Sequence, residues 1–126
     1  MKAIPAALGL LQPARACYGG VLLVAPGPVI RWCTGRPADP RTRAVARVLG
    51  ARHLLQAAVT TKTGPSAESL GIGAAIDITH AASMAGLAVA DRRVRRATLT
   101  DALIETVFAV AGLSSAVPPR GWVGPR

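Results

Sequence analysis

The chain predicts an all-α fold, a four-helix transmembrane bundle with short helices and basic cytoplasmic loops. Three observations predict it. Four apolar stretches alternate with links rich in proline, glycine or charge. The basic residues gather in alternate links. The apolar mass is built from small side chains: hydrophobic residues make up 51% of 126 and mean hydropathy is +0.38, yet aromatics are only 3%. A soluble core of this size draws much of its buried area from Phe, Tyr and Trp, and here there are one Phe, one Tyr and two Trp. Ala and Gly instead let helix backbones approach closely, which is how helices pack in lipid.

The first helix is expected over about residues 6–30 and contains Pro13, Pro26 and Pro28. Its uncharged part, 16–30, falls short of the roughly 20 residues that cross a bilayer. It therefore starts before Arg15, or it is kinked or partly interfacial. Residues 34–40 form a loop, because Gly35, Pro37 and Pro40 break a helix there. The second helix is expected over 41–61, followed by a turn at 60–65 (TTKTGP). Ser66 caps the third helix, expected over 66–90, and Glu68 in its first turn suits the helix dipole. Gly71 and Ala75 make a small-xxx-small pair there, which implies a tightly packed central helix. Residues 91–96 form a charged link and the fourth helix runs over 97–113. Residues 1–113 thus make one membrane domain, and 114–126, with Pro118, Pro119 and Pro125, an irregular tail.

Net charge is +9, and 13 of the 15 basic residues are Arg. One cluster is Arg31, Arg36, Arg41, Arg43 and Arg47; the other is Arg92, Arg93, Arg95 and Arg96. Neither is interleaved with stacking aromatics, apart from Trp32, and no zinc-finger or phosphate-loop pattern occurs, so no nucleic-acid partner is expected. The link between helices 2 and 3 carries only Lys62. The positive-inside rule then puts both basic links in the cytoplasm and both termini outside a plasma membrane. Lys2, the apolar run after it and Ala14-Arg15-Ala16 make an incomplete signal-peptide pattern, with Pro5 inside the run and Arg15 beside the cleavage point. Cys17 and Cys33, if on one helix, lie about 24 Å apart, too far for a disulfide. They match no metal or redox motif.

Charged and polar residues recur inside the apolar stretches. They make a candidate buried network of Arg47, Arg52, His53, Gln56, Asp77, His80, Asp101 and Glu105. A charge at the bilayer centre costs roughly 2.5–3.5 kcal/mol, so such groups face inward and pair. Counted from the turn at Thr63, Arg52 and Asp77 differ in height by roughly 4 Å, which makes them the preferred ion pair. Glu105 can share Arg52, and Arg47 can pair with Asp101. Asp77, His80 and Ser83 share one helical face, but three turns of one helix leave no room for a substrate, so no catalytic residue is assigned. A single Asp-x-x-His is less than a carboxylate-bridged diiron site needs, and no metal is assigned. His53 and His80 differ in height by roughly 10 Å, which argues against bis-histidine haem, and no cofactor is assigned.

Arg47-Val-Leu-Gly-Ala-Arg52-His53-Leu-Leu-Gln56, Asp77-Ile-Thr-His80-Ala-Ala-Ser83-Met84 and the basic link before Ala97 resemble segments of small actinobacterial four-helix membrane proteins with no assigned activity. The resemblance covers about residues 15–113. It implies the topology and no mechanism. The expected role is a non-enzymatic accessory or scaffold component, partnered by the lipid bilayer and by other membrane subunits or itself. The alternatives are a small proton- or drug-coupled transporter and a membrane redox protein.

Overall fold

Prolines and polar caps set the helix boundaries. The structure, a computed structural model, describes residues 6–116, with side chains from residue 9. Helix α1 (Ala6–Val24) stops at Ala25, whose φ of −130° and ψ of 55° leave the helical region, and Pro26 opens α2 (Pro26–Thr34). Proline lacks the N–H that continues a helix and its ring clashes with the preceding turn. The two helices meet at 96°. The single helix expected over 6–30 is therefore two, and its second part reaches Thr34. Gly35, at φ 71°, ends α2 in a left-handed cap whose N–H donates to the Arg31 carbonyl.

Helix α3 (Pro40–Thr63) begins one residue before expectation. Pro40 sits in its first turn, where a missing N–H costs nothing, and Asp39 caps it by accepting from the Thr42 N–H at 2.9 Å. It extends through Thr63, so only Gly64, Pro65 and Ser66 turn the chain. Helix α4 (Ala67–Ala90) is capped by Ser66 and Ser69 in a reciprocal capping box. Helix α5 (Arg95–Ala116) starts two residues early and runs three past Leu113, so 114–116 are helical rather than tail. The rest of the expected tail, 117–126, lies outside the described residues.

There are five helices and no strand among the described residues. They pack as two close pairs, α1 with α3 and α4 with α5, joined mainly through α1 and α5, while the consecutive helices α3 and α4 barely touch. Glycine permits the α1–α3 pair. A Cβ on Gly19 would stand 2.7 Å from the Gly50 carbonyl oxygen, and one on Gly50 would stand 2.5 Å from that of Gly19. Between α4 and α5, Gly112 lies against Leu70 and Ala74. The Gly71–Ala75 pair does not pack: nothing lies within 4 Å of a Cβ at Gly71, and Ala75 is exposed. The buried stripe of α4 is Leu70, Ala74, Asp77, Ala81 and Ala88. Gly71 and Ala75 each stand one residue, roughly 100°, around from it.

Large apolar side chains point mainly outward. Val24, Trp32 and Val89 are at least 80% exposed, whereas the largest fully buried side chains are His53, Glu105 and Asp77. Leu11, Leu70 and Phe108, flanked by Tyr18 and Ile104, form an apolar cluster in the interior, and most other buried apolar residues are alanines. By length and composition α4 and α5 can each cross a membrane, and the bent α1–α2 pair makes a third candidate. Helix α3 does not pass the same test. It carries Arg41, Arg43, Arg47, Arg52 and Lys62, so the four expected spans reduce to two or three on this criterion.

Candidate functional site

Each long helix interrupts its inward stripe with a charged or ionisable residue near its middle. On α1 the stripe is Leu11, Arg15, Gly19 and Leu22; on α3, Gly50, His53, Ala57 and Thr60. On α4 it is Ala74, Asp77 and Ala81; on α5, Ala102, Glu105 and Ala109. The period of three or four residues puts these four groups on facing sides at one level.

Arg15 and Asp77 make a forked pair. The two terminal nitrogens of Arg15 donate to the two carboxylate oxygens of Asp77, at 3.0 and 2.5 Å, and both side chains are buried. This geometry is the strong form of a guanidinium–carboxylate contact. The Arg15 guanidinium also sits 4.8 Å from the centre of the Phe108 ring, within cation–π range. Arg52 donates to Glu105 Oε1 at 2.6 Å and stands 3.6 Å from Asp77 Oδ1, so it bridges the two acids. The preferred pairing of Arg52 with Asp77 is thus the longer contact, because Arg15 holds Asp77 with both arms. His53 Nε2 lies 2.8 Å from Glu105 Oε1 but out of line for a hydrogen bond. Its ring packs against Tyr18 and Phe108, with centroids 5.1 and 5.6 Å away.

A second group adjoins the first. Asp101 Oδ1 accepts from the Tyr18 hydroxyl at 2.7 Å, and Asp101 Oδ2 lies 2.8 Å from His80 Nε2. Asp101 is therefore not paired with Arg47. That arginine is exposed on the outer face of α3 and makes no ion pair among the described residues. Arg47 lies five residues before Arg52, which turns it about 140° away from that side chain on the helix. Gln56 lies across Gly73, its amide nitrogen 2.8 Å from where a Cβ there would be, and its buried Oε1 has no partner.

Sequence reasoning set Arg15 in the first apolar stretch but gave it no partner in the network, and it gave Tyr18 no role. Arg15 is the sole charge between Lys2 and Arg31, and Tyr18 follows it at i+3, on the same face. A lone arginine in an apolar stretch was the available signal. Several buried atoms have no hydrogen-bond partner: Arg15 Nε, Arg52 Nε, both ring nitrogens of His53 and Glu105 Oε2. Beside Asp101 a cavity of 480 Å³ opens, lined mostly by apolar groups and reached by Tyr18, Cys33 and Met84. Cys17 and Cys33 fall on different helices and neither is bonded to the other. His80, Asp101 and Glu105 can each present one ligand atom within 4.8 Å of the others.

No family model, curated protein or solved structure matches the chain.

Proposed function

We propose that the chain is a multi-pass integral membrane protein, a non-enzymatic accessory or scaffold component whose helices are clamped together by an internal charge network. The observation that carries this reading is the inverted distribution of polarity. The largest fully buried side chains are His53, Glu105 and Asp77, while Val24, Trp32, Val89 and many other large apolar residues face outward. In water that arrangement forfeits the hydrophobic driving force and desolvates charge as well. In lipid it is the stable one, since tails accept apolar faces and charge must turn inward and pair.

The bend at Ala25 supports a specific placement. Helix α1 crosses, and α2, nearly perpendicular to it, lies along the cytoplasmic surface with Arg31 and Trp32 at headgroup level. Helix α3 then returns with Arg41, Arg43 and Arg47 at the cytoplasmic end. Its inner half is shielded by α1, and its Arg52 is neutralised by Glu105. Helices α4 and α5 complete four crossings, with Arg92, Arg93, Arg95 and Arg96 on the same cytoplasmic side and both termini outside. The apolar faces left bare are available to lipid, to another membrane subunit or to a second copy. Membership in the actinobacterial family that the Arg47–Gln56 and Asp77–Met84 segments resemble belongs to the same proposal.

The test is carbonate washing of membranes from expressing cells, followed by labelling of single cysteines at Gly64 and Val94 in a background without Cys17 and Cys33. The expected result is a membrane pellet with Gly64 labelled from outside and Val94 protected. A protein released by carbonate, or Val94 labelled from outside, overturns the reading. One observation favours a second role, proton- or drug-coupled transport: Glu105 Oε2 and both nitrogens of His53 are buried without hydrogen-bond partners. On that reading Glu105 is the coupling carboxylate, and unchanged flux in Glu105→Gln vesicles eliminates it.

A further inference from the structure

Asp101 and Glu105 stand one turn apart on α5, and His80 reaches them from α4 across a tightly packed helix pair. One donor atom from each lies within 4.8 Å of the other two. Ligands at about 2.0–2.2 Å from a tetrahedral zinc-class ion stand roughly 3–4 Å from one another, so small side-chain shifts close this set around one.

Both carboxylates have one oxygen occupied from outside the triad. Tyr18 donates to Asp101 Oδ1, and Arg52 donates to Glu105 Oε1. The remaining oxygens are Asp101 Oδ2, which lies against His80 Nε2, and Glu105 Oε2, which is fully buried and accepts no hydrogen bond. That division is how outer partners orient carboxylate ligands: one oxygen is held by a group outside the triad and the other is not. Charge points the same way. Among the described residues two guanidinium groups, Arg15 and Arg52, face three carboxylates, Asp77, Asp101 and Glu105. Arg15 is held by Asp77 and Arg52 by Glu105, which leaves Asp101 with only the imidazole of His80. A group of buried acids short of positive charge attracts a cation.

We propose that His80, Asp101 and Glu105 bind a divalent first-row transition ion, with Tyr18 and Arg52 as orienting partners. One imidazole and two carboxylates suit Zn²⁺, Mn²⁺ or Fe²⁺ better than the all-oxygen preference of Mg²⁺ or Ca²⁺. The cavity beside Asp101 touches only that member of the triad. Binding opens the His80–Asp101 contact, and a proton on His80 Nε2 moves to the other ring nitrogen or leaves to solvent so that Nε2 can coordinate.

The test uses the full chain in detergent micelles, stripped with chelator and titrated with Co²⁺ as a visible-absorbing probe. The expected result is one saturable equivalent whose d–d bands are removed by Zn²⁺. His80→Ala and Asp101→Asn each weaken binding by roughly 100-fold or more, and Tyr18→Phe by about 10–100-fold, the usual range for an outer partner. Cys33→Ser, at the cavity wall, and Cys17→Ser keep wild-type affinity. Circular dichroism checks the helix content of each variant. Wild-type protein with no saturable band overturns the proposal without recourse to any variant. So does a band that survives in folded His80→Ala or vanishes in Cys33→Ser. The site stands independently of the membrane reading, since metal titration in micelles and carbonate washing of membranes can fail separately.

Discussion

At the scale of single residues, the Arg15–Asp77 fork has the largest consequence. A buried pair contributes little net stability compared with apolar isosteres, but removing one partner strands the other. Arg15→Gln leaves the Asp77 carboxylate 0% exposed beside only the longer 3.6 Å contact to Arg52. The expected loss is about 3–5 kcal/mol, at the low end because Arg52 can turn toward Asp77. The double variant Arg15→Gln, Asp77→Asn removes both charges and costs less than the sum of the singles. Thermal or denaturant unfolding in micelles measures this, and additive losses would contradict the pairing. Counting depth from one turn places Arg52 and Asp77 level, and their charged atoms do come within 3.6 Å. Counting does not identify Arg15 as the main partner. Its height depends on where α1 ends, and that depends on the bend at Ala25.

At the scale of elements, helix ends with strong caps were legible and helix faces were not. Ser66 reads as a cap because a hydroxyl before an apolar run has few other uses. Asp39 was missed because Pro37 and Pro40 read as loop, although proline is at home in a first helical turn. Its caps to Thr42 hold the Asp39 carboxyl below the usual carboxylate range. A depressed folded pKa means the stabilisation is complete above the unfolded value, about 3.9, and is lost as pH falls through the lower folded value. The first turn of α3 should therefore fray only at strongly acid pH, seen as faster amide exchange at Thr42 and Arg43. In Asp39→Ala the fraying should appear at neutral pH as well. Gly71 was read as an interface because it has a small partner four residues on, yet spacing cannot tell which side of an alanine-rich helix meets a neighbour. The close approach is Gly19 against Gly50, whose sequence separation hides it. Gly50→Ala drives a Cβ to 2.5 Å from a backbone carbonyl. It should destabilise the α1–α3 pair by about 1–3 kcal/mol, the usual cost of overpacking, whereas Gly71→Ala, with open space in a helix, should stabilise by up to about 1 kcal/mol in the same unfolding assay.

At the scale of the whole molecule, the four apolar stretches made the helical class readable, and two or three helices are long and apolar enough to cross a membrane. The broken first helix was readable only as a choice among an early start, a kink and a partly interfacial segment. What resolves that choice physically is the pair Pro26 and Pro28, which begins a new helix at 96° rather than kinking an old one. An 85% exposed Trp32 on that short helix, beside Arg31, suits the headgroup region, where an indole buries its ring and keeps its N–H wet. In a Trp122→Phe background, the emission of Trp32 should be quenched strongly by lipids brominated near the headgroup and weakly by lipids brominated near the chain end. Quenching that grows with depth would mean that α1 and α2 form one broken span, and the first basic cluster would then have to be reached from inside the bilayer. Five arginines, from Arg31 to Arg47, make that alternative costly at roughly 2.5–3.5 kcal/mol for each one carried to the centre. An interfacial α2 keeps all of them at the surface, and it leaves α1 free to bring Arg15 to the depth of Asp77.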